Sequence, residues 1–188
     1  MAKIKVEKDI AMTRLKMNSA KEIYEKVMES KDYLDQWLPW VEDVKSVEDT
    51  KHYIRQANKR NCPKHDEVFE IRVRDDFAGM LALKEIDNQN KKAEIGYWLV
   101  QNYSGKGIMI RSCLALLRYS FEKLELNKIF IKCSVENIRS CNIPKQLKFT
   151  FEGIERDGEF IHNKFVDLKV YSMLRKEWKR IHGKSKTH

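Results

Sequence analysis

Between residues 93 and 135 the spacing of apolar side chains changes period twice. Ile95, Tyr97 and Leu99 alternate with Glu94, Trp98 and Val100, the period of a strand. Beyond Tyr103-Ser104-Gly105-Lys106-Gly107, the apolar residues Ile110, Leu114, Leu117, Phe121 and Leu124 recur at helical spacing. From Lys128 to Val135 the strand period returns, with Ile129, Ile131, Cys133 and Val135 on one face and Lys128, Phe130, Lys132 and Ser134 on the other. A helical crossover makes these two strands parallel neighbours. Upstream, a first strand is expected within residues 4–15. Ser19-x-x-Glu22 predicts a capping box ahead of a helix carrying Ile23, Tyr24, Val27 and Met28, and a second helix begins near Ser46. Val68 to Arg74 and Phe77 to Ile86 read as a hairpin, and a turn at Asp87-Asn88-Gln89-Asn90 leads into the 94–100 strand. Downstream, a short helix ends near Leu147 and a final hairpin closes with a long strand from Phe165 to Leu174. The order predicts an α+β fold, a mixed and mostly antiparallel sheet with helices on both faces.

The 188 residues suit one domain, assigned to 1–180, with a basic tail at 181–188. No window has the uncharged length needed to cross a bilayer, and the N-terminus lacks the apolar core of a signal peptide, so a cytoplasmic protein is expected. Cys62, Cys113, Cys133 and Cys141 form no C-x-x-C pair and are expected to be free thiols. Cys62 with His65 offers two ligands where a structural zinc needs four, so no metal is expected. The formal charge is +9, from 37 Lys and Arg against 28 Asp and Glu, and it is dispersed along the chain. It suits an acidic partner more than nucleic acid, which is not the expected ligand.

The glycine loop is the first candidate site. Gly105 and Gly107 permit positive φ, and the helix that follows presents unpaired amides and the positive end of its dipole, a place for phosphate as well as an ordinary tight turn. Where parallel strands splay, their unpaired backbone groups can bind an extended amide-bearing ligand such as pantetheine. Asn137, just past the second strand, carries a side-chain amide suited either to such a ligand or to a turn. Trp37 and Trp40 flank Pro39 and suit core packing or an aromatic wall for an acceptor.

Glu94-Ile95-Gly96-Tyr97-Trp98-Leu99, Tyr103-x-Gly105-Lys106-Gly107-Ile108-Met109, Glu136-Asn137-x-x-Ser140 and Pro144-x-x-Leu147-x-Phe149 together resemble the GNAT acetyltransferase superfamily. Within it, the likeness is to the RimJ/RimL group of ribosomal-protein N-terminal acetyltransferases. Trp37-Leu38-Pro39-Trp40 resembles that group's N-terminal motif and Val166-Asp167-x-x-Val170-Tyr171-Ser172 its C-terminal strand, so the likeness spans nearly the whole chain. The resemblance implies a sheet splayed at an acetyl-CoA site, with pyrophosphate on the amides of Ser104, Gly105, Lys106, Gly107, Ile108 and Met109. Pantetheine then runs along Leu99 and Val100, whose neighbouring N–H groups face the oxyanion, and Asn137 and Lys145 complete the cofactor contacts. Ser140 is implied as the acid that protonates the departing thiolate, or else as the cap of its helix. Glu159 and Glu94 are the candidate bases, with Glu159 favoured, and Trp37 and Trp40 are assigned to the acceptor.

Three departures from the pattern stand out: Asn102 in place of Gln or Arg, Ile110 and Arg111 in the first turn of the loop helix, and Lys148 where Gly precedes Phe149. A lysine held at positive φ there costs on the order of 1 kcal/mol. The expected activity is transfer of acetyl from acetyl-CoA to the N-terminal α-amine of a protein, with an acidic ribosomal-protein terminus as partner and a homodimer compatible with the resemblance. The alternatives are a small-amine acetyltransferase acting on a polyamine, amino sugar or antibiotic, and a non-catalytic CoA- or RNA-binding relative.

Overall fold

The computed structural model describes residues 3–60 and 66–183, so Cys62, His65 and the last five residues of the basic tail lie outside the described residues. Its strands are β1 (Lys3–Lys5), β2 (Ile10–Arg14), β3 (Glu67–Val73), β4 (Asp76–Asp87), β5 (Lys92–Leu99), β6 (Lys128–Ser134), β7 (Thr150–Ile161) and β8 (Lys164–Leu174). The helices are α1 (Ala20–Glu29), α2 (Lys31–Asp35), α3 (Val47–Arg60), α4 (Ile108–Glu122), α5 (Ile138–Gln146) and α6 (Arg175–His182). The strands form one eight-stranded sheet in the order β1-β2-β3-β4-β5-β6-β8-β7. Neighbours are antiparallel except β5 and β6, which run parallel and stay in register only at Lys92↔Lys128, Ala93↔Ile129 and Glu94↔Phe130. Beyond Glu94 the two strands part, as expected of a splayed sheet.

Strand alternation sorts the core into two layers. Ile95, Ile129, Ile131 and Cys133 pack with Cys113, Leu116, Leu117 and Phe121 of α4 and Cys141 of α5. On the opposite face, Phe77, Met80 and Val100 pack with Ile23, Val27, Leu34 and Ile54 of α1 to α3. Helices on both faces follow from strands that are apolar on both sides.

Three local expectations need correction. The first strand is two short ones, β1 and β2, paired with each other. On α4 the buried face runs through Met109, Ser112, Cys113, Leu116 and Ser120, while Ile110 and Leu114 sit at its flank. Small Ser112 and Ser120 let the helix lie close to the sheet, and the Ser120 hydroxyl donates to the Leu116 carbonyl at 2.7 Å. The Ser19-Glu22 box does not form, because both side chains are taken by the sheet. Arg72 donates to Ser19 Oγ at 3.2 Å and to Glu22 Oε2 at 2.7 Å, and Glu22 Oε1 accepts the Phe77 N–H at 2.8 Å. A reciprocal box instead starts α3, where Ser46 Oγ donates to Asp49 Oδ2 at 2.8 Å and accepts the Asp49 N–H at 3.3 Å.

Candidate active site

The fork between β5 and β6 sets the geometry of the site. Val100 N–H donates to the Ala78 carbonyl at 3.0 Å, which makes Gly79↔Leu99 a pair whose own N–H and C=O groups point away from each other. The backbone groups of Leu99, and of Tyr97 two residues earlier, therefore face the gap that β6 has left. Of the N–H groups near Val100 that were expected to face the oxyanion, that of Val100 itself is taken by Ala78 and that of Leu99 faces the gap.

At the mouth of the fork, Gly105 (φ 75°) and Gly107 (φ 70°) are both left-handed, and Gly107 is the N-cap of α4. An added Cβ at Gly105 would meet nothing, so the glycine serves conformation and not space. The first helical amide to bond back is Arg111 N–H, to the Gly107 carbonyl at 3.2 Å. The preceding amides of Ile108 to Ile110 have no partner within the helix. Arg111 itself clamps the loop by donating to the Lys106 carbonyl at 3.0 Å, and it pairs with Glu7 at 3.4 Å. Tyr33 of α2 donates to Ser104 Oγ at 3.0 Å, and the Arg139 guanidinium lies 5.8 Å from the Tyr33 ring. Free amides, a helix N-terminus and the cations Lys106 and Arg139 suit a diphosphate, and the gap beside Leu99 and Tyr97 suits an amide-bearing arm. Acetyl-CoA fits both parts.

Ser140 lies in the first turn of α5 and does not cap it. Asn137 does, its Oδ1 accepting the Ser140 N–H at 3.0 Å, so the side chain read as a cofactor ligand or turn residue is a structural cap. Ser140 Oγ donates to Tyr97 Oη at 3.3 Å, and Tyr97 O–H donates to the Ser140 carbonyl at 3.1 Å. Burial, followed by the nearby Cys113, pushes the Tyr97 phenol well above the ordinary tyrosine value, so it stays protonated. Tyr97 was legible only as a strand residue; its partnership with Ser140 needs the fold.

The two carboxylates stand on the opposite face of the sheet. Glu94, almost fully buried at the crotch of the fork, is held by Lys84 across β4 at 2.8 Å. Glu159 lies opposite Val166 on β8 and is exposed overall, with its carboxyl partly desolvated. Burial first and the charge of Glu94 after it raise the Glu159 carboxyl above the ordinary glutamate value, against the pull of Lys84. The pair that sequence left competing is thus one cluster in which Glu94 has a tight cation partner and Glu159 is pushed toward a weaker acid.

A cavity of about 400 Å³ opens between α2 and the tip of the β7–β8 hairpin, and Asp32, Asp35, Trp37, Ser134, Glu136, His162 and Lys164 help to line it. The hairpin tip docks on α2 through His162 Nε2, 2.7 Å from the Asp35 carbonyl. Asp35, Glu42 and His162 cluster closely enough to hold an ion, but with both carboxylates outside the core and a ligand set of three they do not make a closed site. Trp37 lines this cavity while Trp40 does not. Trp40 packs on Trp98 at 5.5 Å, and Trp98 on Phe77 at 5.7 Å. Lys145, in the last turn of α5, lines a different depression with Lys148 and Lys169, apart from the glycine loop. Cys113, Cys133 and Cys141 are buried free thiols, as expected.

Residues 10–150 match the family model described as the acetyltransferase (GNAT) domain. The chain is 33% identical over 175 residues to YdaF of Bacillus subtilis (strain 168), covering 93% of this chain and 96% of that protein. It is 29% identical over 171 residues to the ribosomal-protein-serine acetyltransferase of Escherichia coli (strain K12), covering 91% and 96%. Among solved structures, RimL, a ribosomal L7/L12 alpha-N-protein acetyltransferase in complex with coenzyme A, superposes with a TM-score of 0.89 at 26% identity, covering 94% of this chain and 99% of that one.

Proposed function

The chain belongs to the acetyltransferase (GNAT) family, and from that premise we propose that it moves an acetyl group from acetyl-CoA directly to the α-amine at a protein N-terminus, a ribosomal protein being the expected acceptor. The observation that carries this reading is the fork after Glu94↔Phe130. It lets a thioester held on the α4–α5 face meet an amine entering from the α2 face.

Acetyl-CoA supplies an activated acyl group; the chain's own residues handle protons and charge. Glu159 accepts a proton from the acceptor ammonium, directly or through water. Glu94 and Lys84 set the field around it. Leu99 N–H is a fixed donor facing the gap, suited to developing negative charge. Ser140 holds a proton at Oγ, available to a departing thiolate, and Tyr97 positions it. The diphosphate rests on the amides of the loop and α4, from Gly105 to Met109, since the Ser104 N–H is spent on the Gln101 carbonyl at 3.0 Å. An α-amine with a pKa of about 7.7–8.0 asks less of one carboxylate than a lysine near 10.4 does.

The cavity beside Trp37 is the acceptor's entrance. Its Asp32 and Asp35 suit the ammonium head of the acceptor, while Glu136 is paired at 3.4 Å with Lys164 of the same lining, a cation that an acidic residue of a ribosomal terminus could meet. The same acidic lining supports a second reading, a small polycationic amine. Incubation with acetyl-CoA and peptides bearing both a terminal amine and an internal lysine, beside a polyamine, separates the two. Modification located by mass spectrometry at the α-amine is expected. Turnover confined to lysine or to the polyamine overturns the first reading.

A further inference from the structure

The outer face of the β7–β8 hairpin differs from the rest of the sheet in carrying large apolar side chains that no helix covers. Register puts Phe151 opposite Tyr171, Ile154 opposite Lys169 and Phe160 opposite Phe165. Phe151, Ile154, Phe160 and Phe165 are each more than half exposed, from 51% to 63%. At the foot of this face lies a depression of about 620 Å³ lined by Lys145, Lys148, Phe149, Phe151, Lys169 and Tyr171, three cations and three aromatic rings with no carboxylate among them.

Lys148 reaches that depression from a left-handed backbone, φ 63°, a conformation that favours glycine. The exit from α5 holds it there, with Lys148 N–H on the Lys145 carbonyl at 3.0 Å and Phe149 N–H on the Pro144 carbonyl at 2.9 Å. Phe151 is propped from one side by Tyr171, the ring centroids 5.4 Å apart, which leaves a flat apolar surface toward solvent. Cations that track a phosphate backbone beside an exposed aromatic platform are what single-stranded nucleic acid requires.

We propose that this face binds single-stranded RNA, with Lys145, Lys148 and Lys169 on phosphates and Phe151 stacked against a base. A second copy of the chain fits less well, because a two-fold contact centred here would set the three lysines against the same three. An acidic peptide would satisfy the lysines and leave the rings without a flat partner. Ser140 and Lys145 share α5 and stand about 7–8 Å apart along its axis, so RNA held here would lie beside the acetyl-transfer centre without entering it.

The test is fluorescence anisotropy of the full chain with a labelled oligouridylate of about 12 nucleotides, repeated with Phe151→Leu, which keeps apolar volume but loses the ring, and with Lys148→Gly, which suits the left-handed backbone. Phe151→Leu is expected to weaken binding about five-fold or more. Lys148→Gly is expected to reduce the salt dependence of log affinity by about 0.7. Both variants should acetylate a peptide at the rate of the parent, and saturating CoA should leave the RNA bound. Unchanged RNA affinity in both variants overturns the proposal. So does displacement by CoA, which would give the lysines to the cofactor, or equal affinity for an oligoglutamate, which would give them to a peptide. Self-association abolished by Phe151→Leu, with no RNA bound, would make the face a dimer contact instead.

Discussion

At the scale of single residues, the site turns on one-position distinctions. Val100 and Leu99 are both extended, yet Val100 N–H is spent on Ala78 while that of Leu99 faces the fork. Period alone cannot say which, because it assigns side chains to faces and leaves open on which flank each amide finds a neighbour. The choice between Glu159 and Glu94 likewise needs partners that sequence does not list. Glu159→Gln is expected to lower kcat about 10²- to 10⁴-fold with little change in CoA affinity. Because the folded carboxyl is raised above the ordinary glutamate value, its ionisation opposes folding at neutral pH. The parent's activity should fall as acid protonates Glu159. The glutamine variant should melt higher than the parent at neutral pH, and that gain should vanish below the unfolded value. Thermal melts across pH beside steady-state kinetics check both; a variant as active as the parent removes Glu159 from the base role.

At the scale of elements, the helix starts carry the sharpest lesson. Ser19-x-x-Glu22 reads as a cap but serves tertiary bonds to Arg72 and Phe77, while Asn137 reads as either a cofactor ligand or a turn residue and its Oδ1 is the cap that sets Ser140. A local motif states which bonds are possible, and a competing buried partner decides which are made. Asn137→Ala is expected to destabilise the fold by about 0.5–2 kcal/mol in chemical denaturation. It should also lower kcat more than it weakens CoA binding, since Ser140 then loses its anchored amide. A variant that loses CoA affinity and keeps kcat would return Asn137 to the cofactor. Lys148 is the opposite case: the resemblance, with Gly normally at this position, implied a positive φ, and it is present, at 63°.

At the scale of the whole molecule, the cofactor should act as a thermodynamic clamp. A ligand that binds only the folded chain at 100 times its Kd adds about 2.7 kcal/mol, which for this size raises Tm by roughly 5–10 °C. Differential scanning fluorimetry with CoA checks this, and no shift at millimolar CoA would remove the phosphate reading of the loop. Among the described residues no helix is long and apolar enough to cross a membrane. Charge shows how the fold reorganises composition: the excess of nine is scattered in sequence, yet Lys145, Lys148 and Lys169 meet in one depression, while Asp32, Asp35 and a Glu136–Lys164 pair line another. Net charge therefore predicts neither surface.

The hairpin at 68–86, the parallel pair at 94–100 and 128–135 and the glycine loop were determined by the sequence alone, because each rests on periodicity or on backbone preferences that neighbours along the chain fix, whereas the split into β1 and β2 and the short α2 and α6 were not legible there and the αL exit at Lys148 runs against the preference of a lysine. Tertiary structure alone decided that Tyr97 holds Ser140, that Glu94 is tied to Lys84 while Glu159 is the raised carboxyl, that Trp37 and Trp40 part company, and that Leu99 and not Val100 faces the gap. These depend on the register in which strands pair and on how helices dock on the sheet. A shift of one residue in that register would exchange the faces and reassign every partner.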